Sequence, residues 1–419
     1  MDHKSRRGAW KAEHLANITL VVPTYNRHEL FCKLLDYYAS LGLAMQILVL
    51  DSSCESLQHK NRKHVLSLGS GFRHISYSSD VPVASKLSQG LHAVGTEYAA
   101  LCADDDLVFL DGLIGAKAFL QDHPEYVCVD GIYLNYWQKE FDVNVKIEYG
   151  SGGINGEHAY ARVFRLFQKY ESLFYGVFRT KHITQIFDGV SKIQSLHFQE
   201  LFQAVSALMI GKSHRLPLFY AARQSCDPAQ PERDKWQTFQ WFADDRAEFL
   251  AHYALYRTSL LSFYKSNISE SSRIDEAGFF KAMDLAHSIF FATGCPQWYF
   301  FSELKHLWSN DAFQNVVSGT EALDQLKSAG RLDRERKAAR LISNIGDSVR
   351  RCFSTDDIEK LNKTIQANHS NPWLCIFHDH LEWLAESDQF KGAYDDLCSY
   401  LEGSDRQPLG LLKKFFKLS

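Results

Sequence analysis

Between residues 18 and 130, short β-branched or aliphatic runs alternate with amphipathic stretches, and few folds accommodate that alternation. It is the pattern of successive β-α-β units around a mainly parallel sheet. Four strands are predicted: ITLVVP, QILVLD, RHISY and EYAALCA. Between the first two, Leu30, Leu34, Tyr38 and Leu41 recur at helical spacing and Gly42 follows as a natural stop. The stretch CESLQHKNRKHVLSLG reads as a second helix, again ending on glycine. In open α/β sheets ligands bind outside the carboxyl ends of the strands. There the chain places Thr24-Tyr25-Asn26-Arg27, then Asp51-Ser52-Ser53, then Asp104-Asp105-Asp106.

The acidic triplet needs an explanation. Unit charges about 4 Å apart repel by roughly 4 kcal/mol at the effective dielectric of a protein surface. Three consecutive carboxylates after the apolar run YAALCA therefore need solvent or a counter-charge. The plain reading is a solvated turn in which an aspartate caps a helix beginning near Leu110.

From about residue 194 to 224 the pattern is one helix followed by the strand-like RLPLFYAARQ. Phe198, Phe202, Val205 and Met209 share a face of that helix, and Gly211 closes it. CDPAQPERDKW, with its two prolines and mixed charges, reads as a loop or linker. Beyond Trp236 the chain turns to long helical stretches rich in aromatics. The expected organisation is a tail over 1–17, an α/β domain over 18–230 and an α-helical domain over 231–419. The last segment, LGLLKKFFKLS, places Leu411, Leu412, Phe415, Phe416 and Leu418 on one arc flanked by Lys413, Lys414 and Lys417. It suits either docking on the helical domain or peripheral contact with an anionic membrane interface.

At 419 residues and 45% hydrophobic the chain can bury a sizeable core. A net charge of −4 and the lack of a basic stripe interleaved with aromatics argue against a nucleic-acid partner. Nine cysteines without a CxxC pair read as reduced thiols, so a cytoplasmic location is expected. No stretch reads as a signal peptide or reaches the roughly 18 uninterrupted apolar residues of a membrane span.

Taken together, VVPTYNR, VLDSS, and the ordered set Lys86, Gly90, Gly95-Thr96-Glu97-Tyr98 and Ala103-Asp104-Asp105-Asp106 resemble family 2 glycosyltransferases of the GT-A fold. More narrowly they resemble a bacterial group in which a lysine about 18 residues upstream precedes an ADDD run. The resemblance covers roughly residues 18 to 225. Two departures stand out: Ser88 occupies a position where many relatives carry asparagine, and the QxxRW signature of processive synthases is absent. The second argues against a processive polymerase.

The resemblance implies a GT-A nucleotide-diphospho-sugar transferase domain, and an enzyme moving a sugar from a nucleotide-sugar donor to an acceptor hydroxyl on a glycan or lipid-linked molecule. Bacterial surface-glycan synthesis, with the enzyme at the inner face of the membrane, is the implied setting. It also implies Mn²⁺ or Mg²⁺, held by Asp106 and neighboured by Asp104, which lies nearer the ribose; such a cation neutralises the leaving diphosphate. Thr24, Tyr25, Arg27, Asp51, Lys86, Asp105 and Arg223 are the implied donor contacts, with Lys86 and Arg27 facing phosphate. Tyr175 and Arg179, in FYGVFRT, are implied acceptor or phosphate contacts. An inverting transfer needs a general base; Glu200 is preferred to Asp188 because it lies on the polar side of its helix with Gln203.

Two other readings compete. Asp104-x-Asp106-x-Val108 satisfies the aspartyl-phosphatase pattern, though that motif belongs after the first strand of its fold and here several β-α units precede it. Alternatively, the transferase-like domain is inactive and the helical half serves as an interaction scaffold; the intact set of Lys86, Asp104, Asp106 and Glu200 speaks against that.

Overall fold

The structure is a computed structural model that describes residues 15, 17–42, 45–139, 142–148, 152–168, 170–224, 246–293 and most of 392–400. The predicted strands form as β1 (Ile18–Thr24), β2 (Gln46–Asp51), β3 (Phe72–Ser76) and β4 (Tyr98–Leu101). Between them run α1 (His28–Ser40), α2 (Glu55–Ser67) and α3 (Val83–Leu91). Gly42 follows α1 with φ +63, a left-handed conformation that costs glycine nothing, so the sequence's stop signal operates as expected.

After β4 come β5 (Leu107–Val108), α4 (Leu110–Asp122), β6 (Tyr126–Lys139), β7 (Asp142–Glu148) and β8 (Gly153–Ile154). Then follow α5 (Ala159–Gln168), β9 (Val177–Arg179), α6 (Thr180–Val190), α7 (Leu196–Ile210) and β10 (Lys212–Gln224). The sheet order is β3-β2-β1-β4-β9-β6-β10-β5, with β7 on β6 and β8 on β10. Along that path β3, β2, β1, β4, β6 and β10 run one way, and β9 and β5 reverse. The result is a mixed α/β fold with a mainly parallel sheet covered by helices on both faces.

The period-two pleat sorts the strand side chains. Val21, Leu48, Leu50, Ala99 and Leu101 enter one core with α3, α5, α6 and α7. Leu20, Val22, Ile47, Val49 and Ala100 enter the other with α1 and α4. At Gly90 a Cβ would lie 2.3 Å from the Leu50 side chain, so the missing side chain is what lets α3 lie against β2. That approach carries Lys86 under the carboxyl ends of β1 and β2.

The boundary expected near residue 230 lies outside the described residues. Beyond it, α8 (Arg246–Asn267) and α9 (Glu276–Thr293) share the core of the sheet's α7 face. Phe198 stacks on Tyr256 at 4.9 Å between ring centroids, so the predicted apolar face of α7 is covered by a helix of the C-terminal half. Among the described residues no helix is long and apolar enough to cross a membrane.

Candidate functional site

The turn after β1 and the turn after β2 are tied together. Asn26 has φ +55, a conformation asparagine tolerates better than most residues. Its N–H donates to Ser53 Oγ at 2.8 Å, and its Oδ1 accepts from the Cys54 N–H at 2.9 Å. These bonds hold Tyr25 outward with 53% of its surface exposed, an aromatic face free of the core at the expected ligand edge.

Beneath these turns lies Lys86, buried rather than presented to a ligand. Its ammonium donates to the Thr24 carbonyl and to Ser52 Oγ, both at 2.8 Å. Burial pushes its pKa down to about 8 against the opposing pull of Asp51 and Asp104. The implied phosphate contact is corrected here: Lys86 braces the two turns from below. Asp51 is likewise internal, with no exposed surface. It accepts from the Ser53 N–H at 2.8 Å, Asn61 Nδ2 at 2.8 Å and His74 Nε2 at 3.1 Å. Burial works against its charge, but these bonds outweigh it and hold the carboxyl below the usual range. Asp51 therefore anchors the end of β2 and offers no edge to a base or ribose.

The acidic triplet forms the turn between β4 and β5, and the capping reading fails. The residue before α4 is Phe109, with extended backbone and no side-chain cap. Each aspartate has its own partners. Asp104 accepts from Thr24 Oγ1 at 2.7 Å and from Arg27 Nη1 at 3.2 Å. Asp105 accepts from the same Arg27 nitrogen at 2.7 Å, and its carbonyl takes the Tyr136 hydroxyl at 2.9 Å. Asp106 accepts the Tyr175 hydroxyl and the Gln224 N–H, the latter at 2.7 Å. Arg27 is thus the counter-charge to Asp104 and Asp105, across 77 and 78 residues of sequence, while the charge that favours the Asp106 carboxylate is that of Arg223. Even so, burial and the neighbouring Asp105 push the Asp106 carboxyl up to about 7. Burial and the nearby Asp106 charge keep Tyr175 protonated far above the ordinary phenol range, so it remains the donor of that pair.

Next to this turn, through Tyr175, lies a cavity of about 320 Å³ between α3, α6 and α7. Arg223, at the end of β10, closes one side; its Nε donates to Asn135 Oδ1 at 3.1 Å, and its guanidinium lies 5.5 Å from the Tyr133 ring centre. Glu200 stands on the α7 wall, steered by the Tyr170 hydroxyl at 3.2 Å. Asp188 does not line the cavity; it accepts from Ser88 Oγ at 2.6 Å and from His92 at 3.1 Å. Ser88, the departure from the resemblance, is therefore the partner of the carboxylate that competed for the role of base.

Arg179 is elsewhere. It pairs with Tyr98, the first residue of β4, and so sits at the sheet edge opposite the acidic turn. Its guanidinium donates to the carbonyls of Leu120 and Tyr126, satisfying the end of α4 and the start of β6. The implied acceptor or phosphate role is corrected to a structural one. The structure brings Thr24, Arg27, Asp104, Asp105, Asp106, Tyr175, Arg223 and Glu200 to one edge, and adds Tyr136, Gln203 and the Gln224 amide.

A hard divalent cation takes one or two carboxylates and completes its shell with phosphate oxygens and water. The turn's all-oxygen donors are of that type, and the buried like charge at Asp106 is what a cation relieves. Among the described residues no three or more His, Cys, Asp or Glu side chains converge as a ready-made metal centre. A cation that arrives with a diphosphate would be held by Asp106, with Asp104 beside it.

No protein-family model matches the chain, and no curated protein sequence does. Solved structures do match in part. A structure titled S. aureus TarS 1-349 is 12% identical with a TM-score of 0.42, over 93% of each chain. The same protein in complex with UDP-GlcNAc gives a TM-score of 0.41 at 12% identity, over 85% of this chain and 92% of that one. A structure titled S. aureus TarS gives 0.40 at 12% identity, over 83% of this chain and 54% of that one. Likeness at this level carries no functional weight.

Proposed function

We propose that this chain is a glycosyltransferase moving a sugar, with inversion, from a nucleotide-diphosphate donor to an acceptor hydroxyl at the carboxyl edge of the sheet. One observation carries the reading. An acidic turn fixed by protein donors lies next to a cavity that Tyr175 and Glu200 both line.

Each group has a task in such a transfer. Tyr25 covers the base; Arg27 and Arg223 face the diphosphate, and by the family's pattern Asp104 lies nearer the ribose. Mn²⁺ or Mg²⁺, held by Asp106 with Asp104 beside it, would supply charge neutralisation for the departing diphosphate. Glu200 accepts the proton of the acceptor hydroxyl as its oxygen bonds to the anomeric carbon. The bond from that carbon to the phosphate oxygen breaks, and the nucleoside diphosphate leaves with the electron pair. Water is kept from the reacting carbon by the apolar walls of the cavity and by Tyr175, which also holds Asp106 in position.

The test is Asp106→Asn, which removes one negative charge with little change of shape. Calorimetry with UDP, GDP and ADP in the presence of Mn²⁺ is expected to show binding of at least one diphosphate to the wild type, and at least a tenfold loss, about 1.4 kcal/mol, in the variant. Thermal unfolding checks that the variant is folded. Absence of binding to the wild type, or unchanged affinity in the folded variant, rejects the reading.

A further inference from the structure

We propose that the cavity between α3, α6 and α7 is built for an apolar alcohol: an alkyl or aryl skeleton presenting one hydroxyl, and not a free sugar. The inference rests on the glycosyltransferase reading and narrows it to a class of acceptor. Its grounds are the chemistry of the walls and one buried acceptor atom.

The walls are segregated. From α3 come Val83, Ala84 and Leu87, and from α6 come Phe187 and Val190, so these two helices contribute no polar side chain. The polar groups, Ser172, Tyr175, Gln199, Glu200, Gln203 and Arg223, all come from the remaining sides. A sugar carries hydroxyls around its whole ring, and those turned towards α3 and α6 would be desolvated without partners, which is unfavourable. An alcohol with a hydrocarbon body presents its polar end only where the polar groups are. The volume of about 320 Å³ lies at the lower end of small-molecule sites, enough for a compact body or the hydroxyl end of a longer chain.

Gln203 supplies the second observation. It is 1% exposed and lines the cavity. Its Nε2 donates to the Leu173 carbonyl at 3.3 Å, which fixes which end of the amide is which. Its Oε1 is buried with no hydrogen-bond partner among the described residues. A buried carbonyl oxygen in that state has room in its hydrogen-bonding capacity for one donor, and a hydroxyl in the adjoining cavity is of the right type to be that donor. Glu200 precedes Gln203 by three residues on the same helix, so the two side chains share a face. Gln203 orients the hydroxyl by accepting its hydrogen, and Glu200 replaces it as the proton's acceptor when transfer begins.

The experiment uses the full-length protein with no nucleotide present and measures binding of benzyl alcohol, toluene and glycerol by ligand-observed NMR titration. The wild type is expected to bind benzyl alcohol roughly tenfold or more tightly than either of the others, because a site with a buried acceptor discriminates against ligands lacking its donor. Gln203→Leu should bring benzyl alcohol and toluene to similar affinity. Ala84→Leu, which fills the cavity from α3, should abolish alcohol binding while leaving diphosphate binding at the acidic turn unchanged. The proposal is overturned if glycerol or toluene binds the wild type as well as benzyl alcohol does, or if folded Ala84→Leu still binds the alcohol. Selective alcohol binding without any diphosphate binding would uphold the pocket and reject the transferase reading, so the two failures are separable.

Discussion

Glu200 and Asp188 are both carboxylates on neighbouring helices, and they stand in different surroundings. Glu200 faces the cavity and is held by one phenol, whereas Asp188 is spent on Ser88 and His92 outside it. Loss of a general base typically slows a reaction by about 10²- to 10⁴-fold, roughly 3 to 5 kcal/mol of barrier. Glu200→Gln is therefore expected to keep diphosphate affinity and lose turnover on that scale, while Asp188→Asn keeps turnover within a few-fold. Single-turnover transfer assays on both variants decide it; a dead Asp188→Asn beside an active Glu200→Gln would reverse the roles. The acidic turn and Glu200 were legible in the sequence because residue type and local spacing sufficed to find them. The directions of Lys86, Asp51 and Arg179 were not. Their partners are Thr24 with Ser52, Asn61 with His74, and Leu120 with Tyr126, and only tertiary pairing decides whether a charge turns inward. The Tyr175 and Gln224 contacts to Asp106 were invisible for the same reason, since they cross 69 and 118 residues of chain.

At the scale of elements, strands β1 to β4 and the first two helices between them, α1 and α2, follow from periodicity and their glycine stops, whereas α3 was not read from the sequence. The insertion of β9 between β4 and β6 does not follow either, because a three-residue strand carries too little pattern to predict its neighbours. Equally hidden is the clamp between α8 and α9. His287 is fully buried; its Nδ1–H donates to the Met283 carbonyl at 2.7 Å, and its Nε2 accepts the Tyr256 hydroxyl at 2.7 Å. Both roles belong to the neutral ring, and burial pushes its pKa down to about 4 from 6.5. The sign follows from proton counts. Between pH 6.5 and 4 the unfolded chain binds a proton that the folded chain refuses, so stability rises with pH across that window and is lost as pH falls through it. The full effect is on the order of 3 kcal/mol. His287→Gln keeps an acceptor for Tyr256 and removes the titration. Its unfolding midpoint is expected to fall less than the wild type's between pH 6.5 and 4; parallel curves would show that His287 is not responsible.

The whole molecule closes on itself at its distant end. Leu397 and Tyr400 are buried against α1, with the Tyr400 ring 5.8 Å from that of Tyr37 and the Lys33 ammonium 5.1 Å from its centre. The next residue of α1, Tyr38, donates its hydroxyl to the Val108 carbonyl at 2.8 Å and accepts the Val108 N–H at 3.1 Å. Val108 lies two residues past Asp106, so a segment far along the chain supports the helix that holds the acidic turn. Burying side chains of this size contributes about 1.5 to 3 kcal/mol each. A chain shortened after Lys391 is therefore expected to unfold at lower temperature and to bind diphosphate more weakly. Residues 409–419, with the basic amphipathic arc, lie outside the described residues, and for them we propose peripheral attachment to anionic membranes. Each lysine near such a surface adds roughly 1 kcal/mol, so three give a weak attachment that salt reverses. A chain shortened after Pro408 keeps the Tyr400 contacts. It should retain the wild-type unfolding temperature and diphosphate affinity, and lose only salt-sensitive co-sedimentation with anionic vesicles. Equal sedimentation of the Pro408 form and the full chain excludes the membrane role. A drop in unfolding temperature on that shorter cut means instead that the final segment docks on the protein.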